Sequence, residues 1–315
     1  MNIPIVLATD KNYLSPTYIT ILSMMENKAS SNIYDIKILV SGEISDNEKE
    51  LFNELIQNRR DVLITFIDMN NQFSEVDTHS NYITKATYYR LLLPELLPQY
   101  NYCLYLDTDI VVCDDLEELY SFSKELGDEY LIAGVKELPD CIWHYRELGM
   151  QSADGYFNAG VIILNLGLIR KQNLQSQMML EVTKNHLYHD QDILNMICKG
   201  KVKYLPVKFN KMIKYFYTFS NMESLKEIAK RYYGEEYEVA INCPVILHYS
   251  SPIKPWWGKK NECTELWWQY YEKVPQNVKE KLFNIFLKKQ YRGKKYRIKN
   301  WFMRKAKRIK QIWNK

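Results

Sequence analysis

The stretch Tyr105-Leu106-Asp107-Thr108-Asp109-Ile110-Val111-Val112 places two carboxylates one residue apart, directly after an apolar run. That run, Cys103-Leu104-Tyr105-Leu106, is typical of a buried strand in a parallel sheet. Open α/β sheets bind their ligands at the carboxyl ends of such strands. Charged side chains there need a partner, and one divalent cation bound by both carboxylates can in turn hold a diphosphate. The sequence therefore predicts a metal and diphosphate site after this strand.

Strands alternate with helices on both sides of this stretch, which predicts a doubly wound, mostly parallel α/β sheet. The predicted strands are Ile3–Thr9, Asp35–Val40, Val62–Ile67, Tyr102–Leu106, Leu131–Val135, Val161–Leu166 and Val245–Leu247. The predicted helices are Tyr18–Glu26, Asp46–Asn58 with Ser45 as N-cap, Tyr88–Leu97 and Asp192–Cys198, and the chain is expected to be helical from Glu265 onward.

Composition favours a globular protein that works in a reducing compartment. The 315 residues are enough for one large domain, or for one domain with an extension. No run of 18 apolar residues is present, and the first residues lack the charged leader of a signal peptide. Six cysteines are scattered without a CxxC pair. We therefore expect a reduced, cytoplasmic protein.

The charge is distributed very unevenly along the chain. Residues 288–315 carry 13 Lys or Arg and no acidic residue, whereas the remainder has 29 basic and 38 acidic residues and a net charge of −9. Aromatic and aliphatic residues recur at helical spacing within 290–315. A basic, aromatic helix is typical of a segment that binds an anionic membrane surface, and packing onto the acidic body is the alternative. Specific nucleic-acid binding is not expected from so acidic a body.

Six motifs occur in an order that resembles a known family: Leu7-Ala8-Thr9-Asp10-Lys11-Asn12-Tyr13, Thr87-Tyr88-Tyr89-Arg90-Leu91, Tyr105–Asp109, Phe157-Asn158-Ala159-Gly160-Val161, Asp190-Gln191-Asp192-Ile193-Leu194-Asn195, and His248-Tyr249-Ser250-Ser251-Pro252-Ile253-Lys254-Pro255-Trp256. The chain resembles the retaining glycosyltransferases of family 8, which include bacterial lipooligosaccharide galactosyltransferases and glycogenin. The resemblance implies a GT-A domain over residues 1–262, followed by a helical, basic and aromatic extension over 263–315.

The resemblance also implies which residues bind the nucleotide of a UDP-sugar. Asp10 and Asn12 are expected at the uracil edge and ribose, and the Tyr13 ring is expected to stack on the base. A polar strand-to-helix turn with a core tyrosine is the alternative interpretation of these residues. The full nucleotide set is expected to be Ala8, Thr9, Asp10, Asn12, Tyr13, Arg90, Asp107, Thr108 and Lys254.

The expected metal ligands are Asp107, Asp109 and His248. Two carboxylates with an imidazole suit Mn²⁺, and Mg²⁺ is the alternative. Lys254 is expected to stabilise the charge that builds on the departing diphosphate. Many relatives have glycine at the position of Ser251, which brings the local geometry of that loop into question.

The sugar pocket is expected to contain Arg90, Asn158, Ala159, Asp190 and Gln191. Asp190, Gln191 and Lys254 are the expected catalytic residues. Because the amide of Gln191 is a poor nucleophile, attack by the acceptor on the leaving group's own face is favoured over a covalent intermediate on Asp190.

The expected function is transfer of a hexose from UDP-galactose, or next from UDP-glucose, with retention and formation of an α-glycosidic bond. The acceptor is a saccharide on a glycolipid or glycoprotein, as in polysaccharide biosynthesis or protein glycosylation. Residues 139–155 are expected to face this acceptor. Two alternatives stay open: a sugar nucleotidyltransferase, although its Gly-rich basic signature is missing, and a non-catalytic membrane-associated scaffold with the same fold.

Overall fold

The computed structural model describes residues 1–42, 44–76, 84–138, 142–150, 155–184, 186–217, 223–250, 254–257 and 264–283. Its strands are β1 (Asn2–Thr9), β2 (Ile33–Val40), β3 (Val62–Asp68), β4 (Tyr102–Leu106), β5 (Ile110–Val112), β6 (Ile132–Lys136), β7 (Phe157–Asn165), β8 (Val202–Tyr204), β9 (Lys211–Met212) and β10 (Ile246–His248). Its α-helices are α1 (Leu14–Asn27), α2 (Asp46–Ile56), α3 (Leu93–Leu96), α4 (Glu117–Ser121), α5 (Ile142–Glu147), α6 (Leu166–Lys171), α7 (Leu174–Glu181), α8 (Asp190–Ile197), α9 (Ile213–Phe216), α10 (Glu223–Tyr233), α11 (Glu235–Asn242), α12 (Glu265–Lys273) and α13 (Gln276–Val278).

The central sheet has the strand order β3-β2-β1-β4-β7-β6-β8 within the described residues. The pairs β1–β2, β2–β3, β1–β4 and β6–β8 are parallel, while β7 runs antiparallel to both of its neighbours. A smaller sheet has the order β5-β10-β9. This architecture confirms the predicted α/β class with a mostly parallel sheet.

Strand β1 is apolar along almost its whole length because both faces of the sheet are covered. Ile3, Ile5 and Leu7 pack into one hydrophobic core, and Val6 and Ala8 pack into a second core. Neighbouring side chains of a strand point to opposite faces, so the alternation places one core on each side of the sheet. The continuous apolar run is thus the expected pattern of a doubly covered strand.

Most predicted elements agree with the structure to within a few residues, and three differences affect the site. Strand β7 begins at Phe157 and not at Val161, so Gly160 lies inside a strand. Helix α8 begins at Asp190, two residues earlier than predicted. The predicted helix Tyr88–Leu97 is mainly a 3-10 segment, Lys85–Leu92, and only its end forms α3.

The sheet reverses its winding direction between β1 and β4. Strands β2 and β3 extend the sheet on one side of β1, and β4 follows on the other side. Such a switch point leaves a crevice at the strand carboxyl ends, where α/β proteins bind ligands. Asp10 directly follows β1 and Asp107 directly follows β4, so the topology alone brings the two motifs to the same crevice.

The direction of β7 delivers a third motif to this crevice. In the antiparallel pair, Leu106 of β4 lies opposite Val161, so the beginning of β7 meets the end of β4. The backbone N–H of Asp107 donates to the carbonyl of Gly160 at 2.7 Å. In the smaller sheet His248 pairs with Ile110, which places the end of β10 beside Asp109.

The segment 264–283 packs against the α/β body of the chain. Trp267 and Val278 belong to the core that contains Ile5 of β1, and the Tyr270 hydroxyl lies 2.6 Å from the amide nitrogen of Asn27. The division of the chain at residues 262 and 263 stays a prediction, and the basic segment 290–315 lies outside the described residues. In the ranges that are described, no helix is both long and apolar enough to cross a membrane.

Candidate active site

A cleft opens at the carboxyl ends of β1 and β4 and encloses about 570 Å³ of space, part of it open to solvent. Its lining consists of Ala8, Thr9, Asp10, Tyr13, Thr84, Ala86, Thr87, Arg90, Tyr105, Asp107, Thr108, Asp109 and Lys254. All residues predicted for the nucleotide line this cleft except Asn12, which is an exposed residue of the turn after β1.

Asp107, Asp109 and His248 bring three ligand atoms within 4.8 Å of one another. Nε2 of His248 lies 3.2 Å from Oδ1 of Asp109 and 3.8 Å from Oδ2 of Asp107. Asp109 and His248 are buried, whereas Asp107 is partly exposed to the cleft. Two carboxylates and one imidazole at this spacing are a donor set that divalent transition metals accept.

Gly160 leaves the space that these side chains occupy. A Cβ added at this position would lie 2.6 Å from Oδ2 of Asp107 and would also collide with the His248 ring. The predicted metal ligands therefore fit a shared divalent cation in two respects: the chemistry of the donors and the absence of a side chain behind them.

Lys254 lines the cleft, and its ammonium contacts Asp109, one of the metal-ligand candidates. Its Nζ contacts the carboxylate of Asp109 and donates to the carbonyl of Tyr249 at 2.7 Å. Burial acts to raise the pKa of Asp109, but the Lys254 ammonium, joined by His248 when its ring is protonated, holds that pKa well below its usual range. The Asp109 carboxylate therefore stays ionised and available to a cation.

Arg90 is a buried guanidinium that connects the two acidic motifs. Its Nη2 lies 2.9 Å from Oδ1 of Asp107 and its Nε lies 2.8 Å from Oδ2 of Asp190. The guanidinium also lies over the Tyr105 ring at 4.2 Å and contacts the carbonyl of Ala159. Although burial opposes its charge, Asp107 and Asp190 raise the pKa of Arg90 above its ordinary value.

Asp190 is buried behind Arg90 at the first position of α8. Its Oδ1 accepts a hydrogen bond from the Thr87 hydroxyl. Its Oδ2 lies 2.8 Å from Arg90 Nε as an ion-pair contact, and this buried oxygen accepts no hydrogen bond from the described residues. Burial raises the pKa of Asp190 to about 6, although the charge of Arg90 acts against that rise. The Asp190 carboxylate is therefore held between Thr87 and Arg90, behind the lining of the cleft.

Gln191 and Asn158 interlock beside Asp190. The side-chain oxygen of Gln191 accepts from the backbone N–H of Ala159 at 3.0 Å and from the amide of Asn158 at 3.2 Å. The Gln191 amide donates to the Tyr156 hydroxyl at 3.1 Å. Asn158, Ala159, Asp190 and Gln191 are thus adjacent to one another behind Arg90, but none of them lines the cleft, and the sugar pocket stays a prediction.

In the turn after β1, the Asp10 carboxylate accepts hydrogen bonds from the backbone of the same turn. Oδ1 of Asp10 accepts from the backbone N–H groups of Asn12 and Tyr13 at 2.7 and 3.2 Å, which caps the turn before α1. The Tyr13 ring lies edge-on to Trp256, with centroids 5.8 Å apart. Burial, followed by the charge of Asp109, raises the pKa of Tyr13 well above its ordinary value, so the phenol stays neutral.

Two further predictions have different outcomes. Within the predicted acceptor-facing segment, His144 and Tyr145 are buried, and His144 Nε2 lies 2.9 Å from Asp192. His144 of α5 thus packs on α8, while the Tyr145 ring stacks on Tyr156 at the start of β7, with centroids 4.3 Å apart. That residues 139–155 face the acceptor stays a prediction. The Asp192 carboxylate also accepts from the Tyr156 hydroxyl at 2.5 Å and from the backbone N–H of Tyr188 at 2.8 Å, so it is used within the fold. Ser251 lies outside the described residues.

Sequence reasoning missed three site residues. The hydroxyl of Thr87, a residue of the second motif, contacts Asp190. The ring of Tyr105, a residue of β4, lies against the Arg90 guanidinium. The side-chain oxygen of Asn210, which belongs to none of the six motifs, lies 2.8 Å from Nδ1 of His248. A lone asparagine between two short elements carries no pattern that would have revealed it.

Comparison with known proteins identifies the family. The model of glycosyl transferase family 8 matches residues 4–260, a range that includes every cleft residue named above. The chain belongs to glycosyl transferase family 8. The family 8 chain is 26% identical over 258 residues to the lipopolysaccharide glucosyltransferase WaaO of Escherichia coli (strain K12), covering 79% of this chain and 70% of that protein.

Two further relatives of the family 8 chain carry galactosyltransferase names. The lipopolysaccharide 1,3-galactosyltransferase of Salmonella typhimurium is 25% identical over 261 residues, covering 79% of this chain and 72% of the relative. The galactosyltransferase LgtC, solved with donor and acceptor sugar analogues, is 27% identical with a TM-score of 0.70, covering 89% and 100% of the two chains. The protein is thus a family 8 glycosyltransferase of the GT-A fold, with a sugar donor and a saccharide acceptor as its substrates.

Proposed function

We propose that this glycosyltransferase moves a hexose from a UDP-sugar to a saccharide acceptor with retention of anomeric configuration, forming an α-glycosidic bond. The observation that carries the proposal is the cluster of Asp107, Asp109 and His248 beside Lys254, in a cleft that starts at the end of β1. A diphosphate sugar needs its charge neutralised at one end and its base held at the other, and this cleft offers both.

The uridine would lie at the end of β1. Ala8, Thr9, Asp10 and Tyr13 line that part of the cleft, and Thr108 continues it toward the carboxylates. Asn12 would reach the ribose from the exposed turn. The Tyr13 ring offers a flat apolar face for the base.

Asp107, Asp109 and His248 would hold Mn²⁺, with Mg²⁺ as the alternative ion. A bound ion would supply electrostatic stabilisation of the diphosphate. Manganese is favoured because it accepts one imidazole nitrogen together with carboxylate oxygens, whereas Mg²⁺ prefers oxygen ligands.

The residues of the chain would divide the remaining work. Arg90 and Lys254 would neutralise charge on the phosphate oxygens, and Asp190 with the Gln191 amide would hold the hexose hydroxyls. The bond between the anomeric carbon and the β-phosphate oxygen breaks, and the acceptor oxygen bonds the same carbon on the same face. The acceptor proton passes to the departing phosphate oxygen, so UDP leaves with that proton. Same-face attack is favoured because Gln191 offers an amide, and the carboxylate of Asp190 is already held by Thr87 and Arg90.

Galactose is our first choice of sugar and glucose the second. The relatives include both a galactosyltransferase and a glucosyltransferase, and these hexoses differ at one hydroxyl group. The acceptor is proposed to be a saccharide on a glycolipid or on a glycoprotein. The proposed location is the cytoplasmic face of a membrane, where residues 290–315, rich in Lys, Arg and Trp, would bind anionic lipid.

The test is release of UDP from UDP-galactose, UDP-glucose and their N-acetyl forms, with Mn²⁺, with Mg²⁺ and with EDTA. We expect slow release from one hexose donor that requires the metal, and an α-linked product once an acceptor is added. Metal-dependent binding of UDP without release from any donor, acceptor present or absent, would favour a non-catalytic scaffold. Failure to bind UDP at all would overturn the proposal.

A further inference from the structure

The imidazole of His248 is held from behind by Asn210. Nδ1 of His248 lies 2.8 Å from Oδ1 of Asn210, and Asn210 and His248 are only 0% and 2% exposed. Asn210 directly precedes β9, which pairs in parallel with β10 and so holds the two residues at a fixed separation. Because the contact is buried, water does not substitute for either partner at low cost.

Which atom donates in the contact between Asn210 and His248 follows from two neighbouring groups, one that can only donate and one that accepts. The backbone N–H of Gly160 can only donate, and it donates to Oδ1 of Asn158 at 3.0 Å. The carboxylate of Glu137, paired with Lys214, accepts from the side-chain nitrogen of Asn158 at 2.8 Å. The amide of Asn158 therefore has one orientation, with its oxygen toward Gly160.

The orientation of Asn158 determines that of Asn210. The side-chain nitrogen of Asn210 donates to Oδ1 of Asn158 at 2.8 Å. The oxygen of Asn210 must then face His248, and an amide oxygen can only accept. Nδ1 of His248 consequently carries a hydrogen in every state of the ring, so that the neutral ring has its lone pair on Nε2, on the side of Asp107 and Asp109.

We propose that Asn210 is a positioning residue that selects the Nδ1–H tautomer of His248, so that Nε2 is ready to bind a divalent cation. The inference rests on the proposed metal role of His248. Without Asn210 the Nε2–H tautomer would be favourable too, because its Nε2–H would donate to Oδ1 of Asp109, 3.2 Å away. That bond would occupy both a ligand nitrogen and a ligand oxygen. Partners of this kind typically change metal affinity by roughly 10- to 100-fold.

The first experiment measures the tautomer in protein without metal. Histidine labelled with ¹⁵N gives distinct ring-nitrogen shifts for the two neutral tautomers, and His248→Ala identifies the signal. At about pH 8, above the ordinary pKa of histidine, we expect Nδ1–H in the parent protein and Nε2–H in Asn210→Leu. Asn210→Asp keeps an acceptor toward Nδ1 and should keep the Nδ1–H form.

The second experiment titrates Mn²⁺ alone into the same variants. We expect Asn210→Leu to weaken Mn²⁺ binding roughly 10- to 100-fold and Asn210→Asp to weaken it less. Asn165→Ala is the matched control, since Asn165 is equally buried but caps α6, and it should change neither tautomer nor affinity. A folded Asn210→Leu variant that keeps the Nδ1–H signal would overturn the inference. Failure of the parent protein to bind Mn²⁺ while its tautomer still depends on Asn210 would instead count against the proposed function alone.

Discussion

Among single residues, Gly160 lies where an added methyl group would collide with two metal-ligand candidates at once. We expect Gly160→Ala to weaken Mn²⁺ and UDP binding at least 10-fold, because Asp107 and His248 must move apart. Overpacking should also lower the free energy of unfolding by about 1–3 kcal/mol. Titration calorimetry with Mn²⁺ and then UDP gives the affinities.

A matched control for this substitution is Gly134→Ala in β6. A Cβ there would meet only apolar atoms, of Phe157 at 3.0 Å and Ile162 at 3.3 Å. We expect it to lower stability to a similar extent while leaving Mn²⁺ affinity unchanged. Equal losses of Mn²⁺ affinity in the two variants would mean that Gly160 acts only through general packing.

Lys254 should matter more for turnover than for binding. If its ammonium acts on charge that develops as UDP departs, Lys254→Ala should reduce kcat by roughly 10²–10³-fold. The Kd for UDP in Mn²⁺ should change much less, because the metal ligands stay intact. Lys211→Ala is a suitable control, since that buried ammonium bonds the Ile241 carbonyl away from the cleft. Parallel losses in kcat and in UDP affinity would reduce Lys254 to a binding residue.

The buried carboxyl of Asp190 should make stability depend on pH in a predictable direction. Its pKa is about 6 in the folded chain and near the ordinary value of 3.8 in the unfolded chain. Its stabilising contribution is therefore fully present below about pH 3.8 and is lost as the pH rises through about 6. Relative to Asp190→Asn, the parent protein should lose on the order of 3 kcal/mol of unfolding free energy across that window. Urea unfolding of both proteins at several pH values measures the difference, and a pH-independent difference would contradict the assignment.

Among the elements, the beginning of α8 carries backbone strain directly before Asp190. His189 has φ 52° and ψ −124°, a conformation that glycine adopts readily and other residues rarely do. Its ring contacts the Tyr88 hydroxyl at 3.2 Å. The backbone conformation of His189 sets the direction in which α8 begins, and therefore the position of Asp190 at its first turn.

Two substitutions at His189 separate strain from side-chain contacts. Both His189→Gly and His189→Ala lose the contact with Tyr88, but only glycine relieves the backbone. We therefore expect His189→Gly to be more stable than His189→Ala by about 1–2 kcal/mol, measured by chemical unfolding. If alanine proves equal or better, the turn is not strained as described.

Elements and their order were predictable because hydrophobic periodicity reports which strands are covered on both faces. The direction of β7 was not, since Phe157–Asn165 is equally apolar whichever way it runs. That direction decides that Gly160 meets Asp107. The role of Asn210 could not be predicted for a related reason. Its partners His248 and Asn158 are distant in sequence, and only the paired strands bring them together.

For the whole molecule, the uneven charge predicts a separable function for residues 290–315. Removing them should leave activity on a soluble acceptor nearly unchanged, because the cleft is built from residues before 257. Co-sedimentation with vesicles that contain anionic lipid should fall, since each lost Lys or Arg removes about 1 kcal/mol of attraction. Neutral vesicles serve as the control. Unfolding of the shortened chain would show instead that the segment belongs to the core.

The cluster of Asp107, Asp109 and His248 does not exist until β4 has paired with β7 and β10 has closed the smaller sheet. A chain that is only partly folded offers no such site. A cation at 100 times its Kd would thus favour the native chain by about 2.7 kcal/mol through mass action. Because the ligands come from segments distant in sequence, we expect the site to be absent from the transition state for folding, so that a bound cation would slow unfolding and leave the folding rate unchanged. The lifetime of the folded state would then increase with the concentration of free metal ion.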